Sequence, residues 1–393
     1  MAKNNVVEQY SKYVMATYTK TPLVIVKGKG KYVWDDKGKK YLDFFPGWAV
    51  SGLGHCHPRV VKGIKEQVEK IIHVSNNYYN VLQGELAEEI IKNSFPGKVF
   101  FCNSGAEAVE SAIKLARKYG GPKRYEIIGM DNSFHGRTLA AITLTGQKKY
   151  QKGFEPLPAG FKHVPFNDYA ALEKAITKKT AAIVIEPIQG EGGINVAGKA
   201  YLKKVRKLCD KEDILLIFDE IQTGLGRTGK MFCYQHYGIT PDAMTLAKTL
   251  GGGLPIGALV ADSKVSEVLT PGTHASTFGG SPVVCAGSLA VFEAIKKDKL
   301  LKNVNSVSKY LFKKIGQLKV KYPDIIKGVK GKGLMIGVVL KCPGAEIASQ
   351  AFKKGLLINC TQTNIIRLLP PLTINKKDVD KAVNILDKLL RTR

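Results

Sequence analysis

Residues 214–253 contain two apolar runs, and each run ends at a residue that can take part in chemistry. The first, Ile214-Leu-Leu-Ile-Phe218, stops at Asp219, and the second, Ala243-Met-Thr-Leu-Ala247, stops at Lys248. A short apolar run closed by polar residues is typical of a buried strand in a parallel sheet. Because ligands of open α/β sheets collect at the carboxyl ends of the strands, we expect Asp219 and Lys248 to share one edge of a sheet.

An aspartate and a lysine in this arrangement suit pyridoxal phosphate. A lysine amine forms a Schiff base with the aldehyde of this cofactor, and a buried aspartate pairs with its pyridinium nitrogen. On this interpretation Lys248 also moves the substrate proton, and we expect burial beside a pyridinium to lower its pKa. The structural alternative is that Asp219-Glu220 only begins a helix and that Lys248 is one lysine among many.

The same stretch also fits the start of a nucleotide-binding loop. Gly224-Leu-Gly-Arg-Thr-Gly-Lys230 matches G-x-x-x-x-G-K, but Met231 stands where such loops carry the hydroxyl that binds Mg²⁺. The residues that follow, 232–238, make a poor first helix. The sequence therefore disfavours an NTPase.

Composition limits the class of protein. With 393 residues, of which 44% are apolar, the chain suggests a large α/β unit with an appended domain. We expect no membrane span, no disulfide frame and a cytoplasmic location, because the apolar runs are short and the seven cysteines form no C-x-x-C pair. His55 and His57 precede a helix that starts at Pro58, and without a ligand cluster beside them we predict no metal site.

The formal charge of +27 is unusually high. Of the 60 basic residues, 51 are lysines, and they are spread over the whole chain. A surface that recognises nucleic acid usually contains more arginine. We therefore predict no specific nucleic-acid partner, with non-specific binding as the alternative.

A glycine turn between a strand and a helix offers an anion site. The strand at 98–102 leads through Asn103, Ser104 and Gly105 into a helix that begins at Ala106. Free N–H groups at a helix start bind phosphate. The structural alternative is a capping box formed by Ser104 and Glu107, which is compatible with anion binding.

Two of the nine arginines stand out. Arg137 follows Phe134, an aromatic residue at a strand end that could stack on a pyridine ring. Arg367 lies in an apolar strand, where a buried guanidinium needs an anion. That anion is either a substrate carboxylate or a structural partner such as Glu191.

Seven segments together resemble the class III pyridoxal-phosphate aminotransferases of fold type I. They are Gly-Leu-Gly-His-Cys-His-Pro (52–58), Asn-Ser-Gly-Ala-Glu-Ala (103–108), Phe-His-Gly-Arg (134–137), Glu-Pro-Ile-Gln-Gly-Glu-Gly-Gly (186–193), Phe-Asp-Glu-Ile-Gln-Thr-Gly-Leu-Gly-Arg-Thr-Gly (218–229), Ala-Lys-Thr-Leu-Gly-Gly-Gly (247–253) and Ser-Thr-Phe-Gly-Gly (276–280). The resemblance implies an α/β fold with a large domain around a mostly parallel sheet and a smaller α/β domain. We expect residues 1–45 to pack with the small domain, 46–281 to form the large domain and 282–393 the small one.

The resemblance also implies a role for each matching residue. Lys248 would be the Schiff-base lysine, Asp219 the partner of the pyridine nitrogen and Gln222 a contact of the ring hydroxyl. The phosphate would be held by Ser104, Gly105 and Ala106, and Phe134 would stack on the ring. Thr277 would reach the phosphate of a neighbouring subunit, which implies a homodimer with shared sites.

Within the family, the sequence resembles the acetylornithine aminotransferase branch. The reaction implied is a ping-pong exchange of an amino group between N-acetylornithine and 2-oxoglutarate, which belongs to arginine synthesis. Arg137 would bind the distal carboxylate with Ser276 and Tyr18. Arg367 would bind the α-carboxylate of glutamate, and Glu191 would pair with it when that carboxylate is absent. Alternatives are ornithine, succinylornithine, N-succinyldiaminopimelate and 4-aminobutyrate aminotransferases, or a basic binding protein with an inactive enzyme fold.

Overall fold

A seven-stranded sheet forms the centre of the protein. The computed structural model describes residues 5–392. Its strands are β1 Ile25–Lys29, β2 Tyr32–Asp35, β3 Lys40–Asp43, β4 Gly97–Cys102, β5 Glu126–Met130, β6 Phe161–Val164, β7 Thr180–Ile185, β8 Ile188–Gln189, β9 Asn195–Val196, β10 Leu215–Asp219, β11 Ala243–Leu246, β12 Gly257–Asp262, β13 Ile326–Lys332, β14 Met335–Leu340, β15 Leu356–Leu357, β16 Asn359–Thr361 and β17 Ile365–Leu368.

Helices cover both faces of this sheet and the adjoining layers. They are α1 Asn5–Tyr13, α2 Pro58–Val68, α3 Val81–Asn93, α4 Gly105–Gly120, α5 Leu139–Leu144, α6 Lys148–Gln151, α7 Tyr169–Ala175, α8 Lys199–Glu212, α9 Pro282–Lys297, α10 Leu300–Lys321, α11 Ala345–Lys353 and α12 Lys376–Arg391. Short 3₁₀ turns lie at Cys233–His236, Lys248–Gly251 and Ser266–Val268. No helix within residues 5–392 is long and apolar enough to cross a bilayer.

The central sheet has the strand order β4-β12-β11-β10-β7-β5-β6. The strands from β11 to β6 run parallel to one another, while β12 runs antiparallel to both β11 and β4. Every residue of β7 and β10 is buried, as expected for strands covered on both faces. The predicted α/β fold with a mostly parallel central sheet is confirmed.

The register of β10 and β11 aligns the two chemically distinctive residues. Ile217 pairs with Ala243 and Asp219 with Thr245, so both strands end at the same edge. Lys248 lies two residues after the end of β11, as the first residue of a 3₁₀ turn. Asp219 and Lys248 therefore lie at the carboxyl edge of the parallel strands, as the two apolar runs predicted.

Two smaller four-stranded sheets contain the strands near the ends of the chain. One has the order β13-β14-β17-β16 and carries Arg367 on β17. The other has the order β1-β2-β3-β15, in which β3 from the N-terminal segment pairs with β15 from the C-terminal segment. Within this sheet β2 and β3 pair antiparallel as a hairpin. The pairing of β3 with β15 agrees with the expectation that the N-terminal segment packs with the C-terminal domain. The domain limits 1–45, 46–281 and 282–393 themselves remain a prediction.

Candidate active site

A cavity of about 510 Å³ opens at the carboxyl edge of the central sheet. Nine of the residues selected from the sequence line it: Ser104, Gly105, Ala106, Phe134, Arg137, Glu191, Asp219, Gln222 and Lys248. These residues come from five separate segments of the chain, which the order of the strands brings together. The fold therefore brings most of the predicted site together.

Asp219 is held by a histidine that the sequence analysis quoted but did not assign. His135 Nδ1 lies 2.7 Å from Asp219 Oδ2, and both side chains are buried. Burial disfavours the imidazolium, but the hydrogen bond and charge of Asp219, with Glu186 further away, outweigh it and raise the pKa of His135. The other oxygen of Asp219 accepts the backbone N–H of Ile221 at 3.1 Å. The carboxylate is thus fixed in one orientation.

Lys248 adopts a backbone conformation that is unusual for a lysine. Its φ of 48° lies in the left-handed region, which costs a non-glycine residue about 1–2 kcal/mol. Burial lowers the pKa of its amine, although the carboxylates of Glu191 and Asp219 oppose this. Within residues 5–392 the amine has no hydrogen-bond or ion-pair partner. The site thus holds a free amine that loses its proton more readily than an exposed lysine.

The start of α4 is the helix start at which an anion site was predicted. We call its residues Ser104, Gly105 and Ala106 the anion cradle. Ser104 caps the helix, and its Oγ accepts the N–H of Glu107 at 3.2 Å. Glu107 accepts the N–H of Asn103, the residue before the cap, at 2.5 Å, so the structure has the Ser104 cap but not the reciprocal bond of the predicted capping box. The backbone of Ser104 is closely packed, since a Cβ added to Gly257 would lie 2.1 Å from its carbonyl oxygen. The helix start is therefore held rigidly beside the cavity.

Gln222 places an unsatisfied acceptor in the cavity wall. Its Nε2 donates to the carbonyl of Trp48 at 3.3 Å, while its Oε1 is buried and has no partner among residues 5–392. Buried polar atoms nearly always have a partner in folded proteins. A ligand hydroxyl could supply the missing donor.

An aromatic residue and an arginine, Phe134 and Arg137, complete the walls. The ring of Phe134 packs edge-on against Tyr150, whose face is covered by the guanidinium of Arg137 at 4.2 Å from the ring centre. The charge of Arg137 has no hydrogen-bond or ion-pair partner in the described part of the chain. It is therefore available to an anion that enters the cavity.

Arg367 is fully buried next to the cavity. Its Nη1 donates to Glu191 Oε1 at 2.6 Å and to the carbonyl of Gly190 at 3.0 Å, and its Nε donates to Asn359 Oδ1 at 2.9 Å. Its remaining nitrogen, Nη2, is buried without a partner among residues 5–392. The structure thus contains the Glu191 ion pair that the sequence analysis gave as the alternative to a substrate carboxylate.

Glu186 is a second buried acid in the cavity wall that sequence reasoning missed. It accepts the backbone N–H groups of Phe134 at 3.0 Å and Gly190 at 3.1 Å. Burial raises its pKa to about 7, with the charge of Asp219 adding to the effect. Its position directly after β7 was the available signal, because acids at the carboxyl ends of parallel strands face the ligand site.

Four of the selected residues lie outside the cavity wall. Arg367 reaches it only through Glu191, as described above. Tyr18 and Thr277 are exposed, and Ser276 Oγ accepts a hydrogen bond from Asn103 Nδ2 at 3.1 Å. The loop at 276–280 is held by Asn76, which donates to the carbonyls of Ser276 and Gly279.

Comparison with known proteins agrees with this geometry. The family described as aminotransferase class-III matches residues 13–390. An acetylornithine aminotransferase from Caldanaerobacter subterraneus subsp. tengcongensis is 54% identical over 96% of this chain and 97% of its own length.

Solved structures are similar over the whole chain. An ornithine aminotransferase from Toxoplasma gondii superposes with a TM-score of 0.95 at 34% identity, covering 100% of this chain and 96% of that one. An acetylornithine aminotransferase from Elizabethkingia anophelis has a TM-score of 0.90 at 35% identity, with 99% of both chains covered. With its lysine, aspartate and anion cradle at one sheet edge, the chain belongs to the class III aminotransferases.

Proposed function

We propose that this aminotransferase transfers an amino group reversibly between N-acetylornithine and 2-oxoglutarate, as in arginine synthesis, with pyridoxal phosphate as its cofactor. The observation that carries the proposal is the ion pair between buried Arg367 and Glu191 beside Lys248. Such a pair suits a site that must accept an α-carboxylate in one half-reaction and do without it in the other. The name of the 54% identical relative supports the same substrate.

The residues present fit pyridoxal phosphate. The free amine of Lys248 would hold its aldehyde carbon, Asp219 its ring nitrogen, and the unsatisfied Oε1 of Gln222 its ring hydroxyl. Phe134 would stack on the ring, and the phosphate would lie at the start of α4, held by the group Ser104, Gly105 and Ala106. When bound, the cofactor supplies an electron sink that makes a hydrogen of the substrate acidic.

Lys248 would move that proton. Burial lowers the pKa of its amine, so a larger fraction is neutral and able to accept a proton near neutral pH. The buried contact with His135 keeps the carboxylate of Asp219 oriented while the proton moves. Lys248 would thus act as the base and change its charge, whereas the carboxylate of Asp219 would keep its position.

Arginines would orient the substrates. The unpaired guanidinium of Arg137 suits the carboxylate of N-acetylornithine, which lies far from the reacting amine, with Ser276 and Tyr18 as further contacts. The α-carboxylate of glutamate lies next to the reacting amine and would displace Glu191 from Arg367. One anion then replaces another, so the buried guanidinium is never left unpaired.

We also propose a cytoplasmic homodimer with shared sites. Thr277 and the ring of Phe278 are exposed at the surface of a single chain. In the homodimer, Thr277 would contact the cofactor phosphate of the partner subunit. Light scattering or sedimentation of the purified protein tests this assembly directly.

Ornithine is the second candidate substrate. The solved ornithine aminotransferase from Toxoplasma gondii has the same fold with a TM-score of 0.95. The two substrates differ at the α-nitrogen, which is a neutral amide in N-acetylornithine and a cation in ornithine. Relative kcat/KM for the two compounds therefore separates these activities.

An absorbance titration tests the proposed function. Purified protein with pyridoxal phosphate should show a visible band that bleaches on addition of glutamate. N-acetylornithine should bleach it more efficiently than ornithine, N-succinylornithine, N-succinyldiaminopimelate or 4-aminobutyrate. A protein that gains no visible band with added cofactor would contradict the proposal and favour a non-enzymatic basic protein.

A further inference from the structure

A second cleft, of about 490 Å³, lies outside the active-site cavity. It opens at the carboxyl ends of β5 and β6, where Asp131 and Asn132 follow β5 and Phe166 follows β6. Its far wall is formed by Asn195 on β9 and Lys330 on β13. The cleft shares no lining residue with the active-site cavity.

A chain of hydrogen bonds fixes the floor of this cleft. Lys330 Nζ donates to Asn195 Oδ1 at 2.6 Å, and Asn195 Nδ2 donates to Gln189 Oε1 at 2.9 Å. The fully buried Gln189 then donates to the carbonyl of Asp131 at 2.7 Å. The side chains of Asn195 and Gln189 are thus committed to one another, and the chain of bonds holds the amine of Lys330 at one end and the backbone carbonyl of Asp131 at the other.

The two charges in the cleft are both uncompensated. Lys330 forms one of its three possible hydrogen bonds, and it has no ion-pair partner within residues 5–392. The carboxylate of Asp131 and the carboxamide of Asn132 accept and donate no hydrogen bond in the same part of the chain. Lys330 is partly buried, and this burial lowers the pKa of its amine. An anion at Lys330 and a cation at Asp131 would each relieve an unpaired charge.

We propose that this cleft binds a free amino acid as its zwitterion. The carboxylate lies on Lys330, the ammonium group on Asp131, and the carboxamide of Asn132 bonds one of them. Pro165, Phe166 and Val196 supply an apolar wall for the aliphatic part of the ligand. A simple anion would use only half of these groups and leave Asp131 without a partner.

The floor of the cleft is also the base of the loop that carries Glu191. The hairpin of β8 and β9 encloses residues 190–194, and Asn195 donates to the carbonyl of Gly192 at 2.9 Å. A carboxylate that draws Lys330 away from Asn195 therefore disturbs the loop from which Glu191 reaches Arg367. This consequence rests on the proposed function and predicts a changed KM for glutamate.

The binding test uses an amino acid that cannot be transaminated. The compound 1-aminocyclopentane-1-carboxylate has no hydrogen on its α-carbon, so no proton can be removed there. Calorimetry on the cofactor-loaded enzyme should show one site per chain, without a change in the visible cofactor band. Cyclopentanecarboxylate and cyclopentylamine, which each carry one of the two charges, should bind at least about tenfold more weakly, since a lost charged hydrogen bond is worth about 1.5–3 kcal/mol.

Variants locate the binding. Lys330→Met and Asp131→Asn should each weaken the zwitterion at least about tenfold, whereas Lys327→Met, on the exposed start of the same strand, should bind it like the parent. An unchanged affinity of Lys330→Met for the zwitterion would overturn the proposal. So would an affinity of the parent enzyme for cyclopentanecarboxylate that equals its affinity for the zwitterion. Binding that shifts the visible band and persists in both variants would place the ligand in the active site and equally overturn it.

Steady-state kinetics test the coupling separately. A saturating amount of the zwitterion should change the KM for glutamate severalfold in the parent enzyme and leave it unchanged in Lys330→Met. Binding by calorimetry without any change in that KM would contradict the link to Glu191. Failure of amino transfer itself would instead count against the proposed function, because the calorimetric result does not depend on it.

Discussion

Arg367 Nη1 lies 2.6 Å from Glu191 Oε1, and this ion pair connects β17 of the C-terminal sheet to a loop of the active-site cavity. The arginine side chain is 0% exposed, whereas that of Glu191 is 20% exposed. Removing one partner of a buried ion pair leaves an uncompensated charge, which is strongly destabilising. We therefore expect Glu191 to move away only when another carboxylate takes its place. Because Glu191 is the more exposed partner, it is the residue that we expect to move, while Arg367 stays.

Replacement of Arg367 should separate the two half-reactions. Arg367→Ala should lower kcat/KM for glutamate by about 10²-fold, because charged hydrogen bonds of about 1.5–3 kcal/mol are lost, and affect N-acetylornithine less than about tenfold. Rapid mixing with each amino donor, followed by the cofactor band, measures both values. Arg367→Lys keeps the charge and should fall between the two enzymes. Equal losses for the two donors would refute the assigned role.

Replacement of Lys248 tests the catalytic centre. Lys248→Ala should lower the rate of amino transfer by at least about 10³-fold, because a positioned acid–base group alone contributes about 10²–10⁴-fold. The matched control is Lys230→Ala, which removes the exposed lysine of the segment that resembles a nucleotide-binding loop. It should retain the parent rate in a coupled glutamate assay. Comparable losses in both variants would mean that Lys248 has no special role.

A close backbone contact behind the anion cradle predicts the effect of a single methyl group. Gly257→Ala would bring a Cβ to 2.1 Å from the carbonyl oxygen of Ser104, so strand β12 or the start of α4 must shift. We expect a loss of about 1–3 kcal/mol in the free energy of unfolding, together with weaker cofactor binding.

Gly316→Ala is the control for this substitution. Gly316 lies in α10, where an added Cβ would have no atom within 4 Å. A helical glycine replaced by alanine should stabilise the protein by up to about 1 kcal/mol. Urea unfolding and cofactor titration measure both variants. If Gly257→Ala changed neither the free energy of unfolding nor cofactor binding, the anion cradle would be able to shift more easily than its packing indicates.

The sequence predicted the strand ends better than the contacts between them. Each apolar run of β10 and β11 stops at a polar residue, so local pattern alone located Asp219 and Lys248. His135 was missed because its partner, Asp219, is 84 residues away, and no periodicity records such a contact. The left-handed backbone of Lys248 was equally invisible, since lysine as a residue type gives no signal for a positive φ.

One strand of the central sheet was also missed for a physical reason. Residues 257–262 form an apolar run like those of β10 and β11, yet no strand was predicted there. The strand becomes recognisable through its partners, because it pairs with β11 on one side and with β4, about 160 residues earlier, on the other. Long-range pairing of this kind depends on the assembled sheet and cannot be inferred from local composition.

Glu186 should make the stability of the protein depend on pH in the direction opposite to an ordinary surface carboxylate. Burial raises its pKa to about 7 from an ordinary value of 4.5. Below pH 4.5 the folded and unfolded chains both hold the proton. Between pH 4.5 and pH 7 only the folded chain holds the proton. The free energy of unfolding therefore decreases as the pH rises through this range, and the loss reaches about 3 kcal/mol above pH 7.

The Glu186→Gln variant lacks this titrating group. The difference between its free energy of unfolding and that of the parent should therefore increase, in favour of the variant, from pH 5 to pH 8. Urea unfolding at both pH values gives the difference, and Glu85→Gln, at an exposed site on α3, should show no such trend. Contributions of other acids, such as buried Glu220, cancel in the comparison. A difference that does not change with pH would mean that the N–H groups of Phe134 and Gly190 keep Glu186 ionised, and that the cavity wall carries a permanent negative charge beside Asp219.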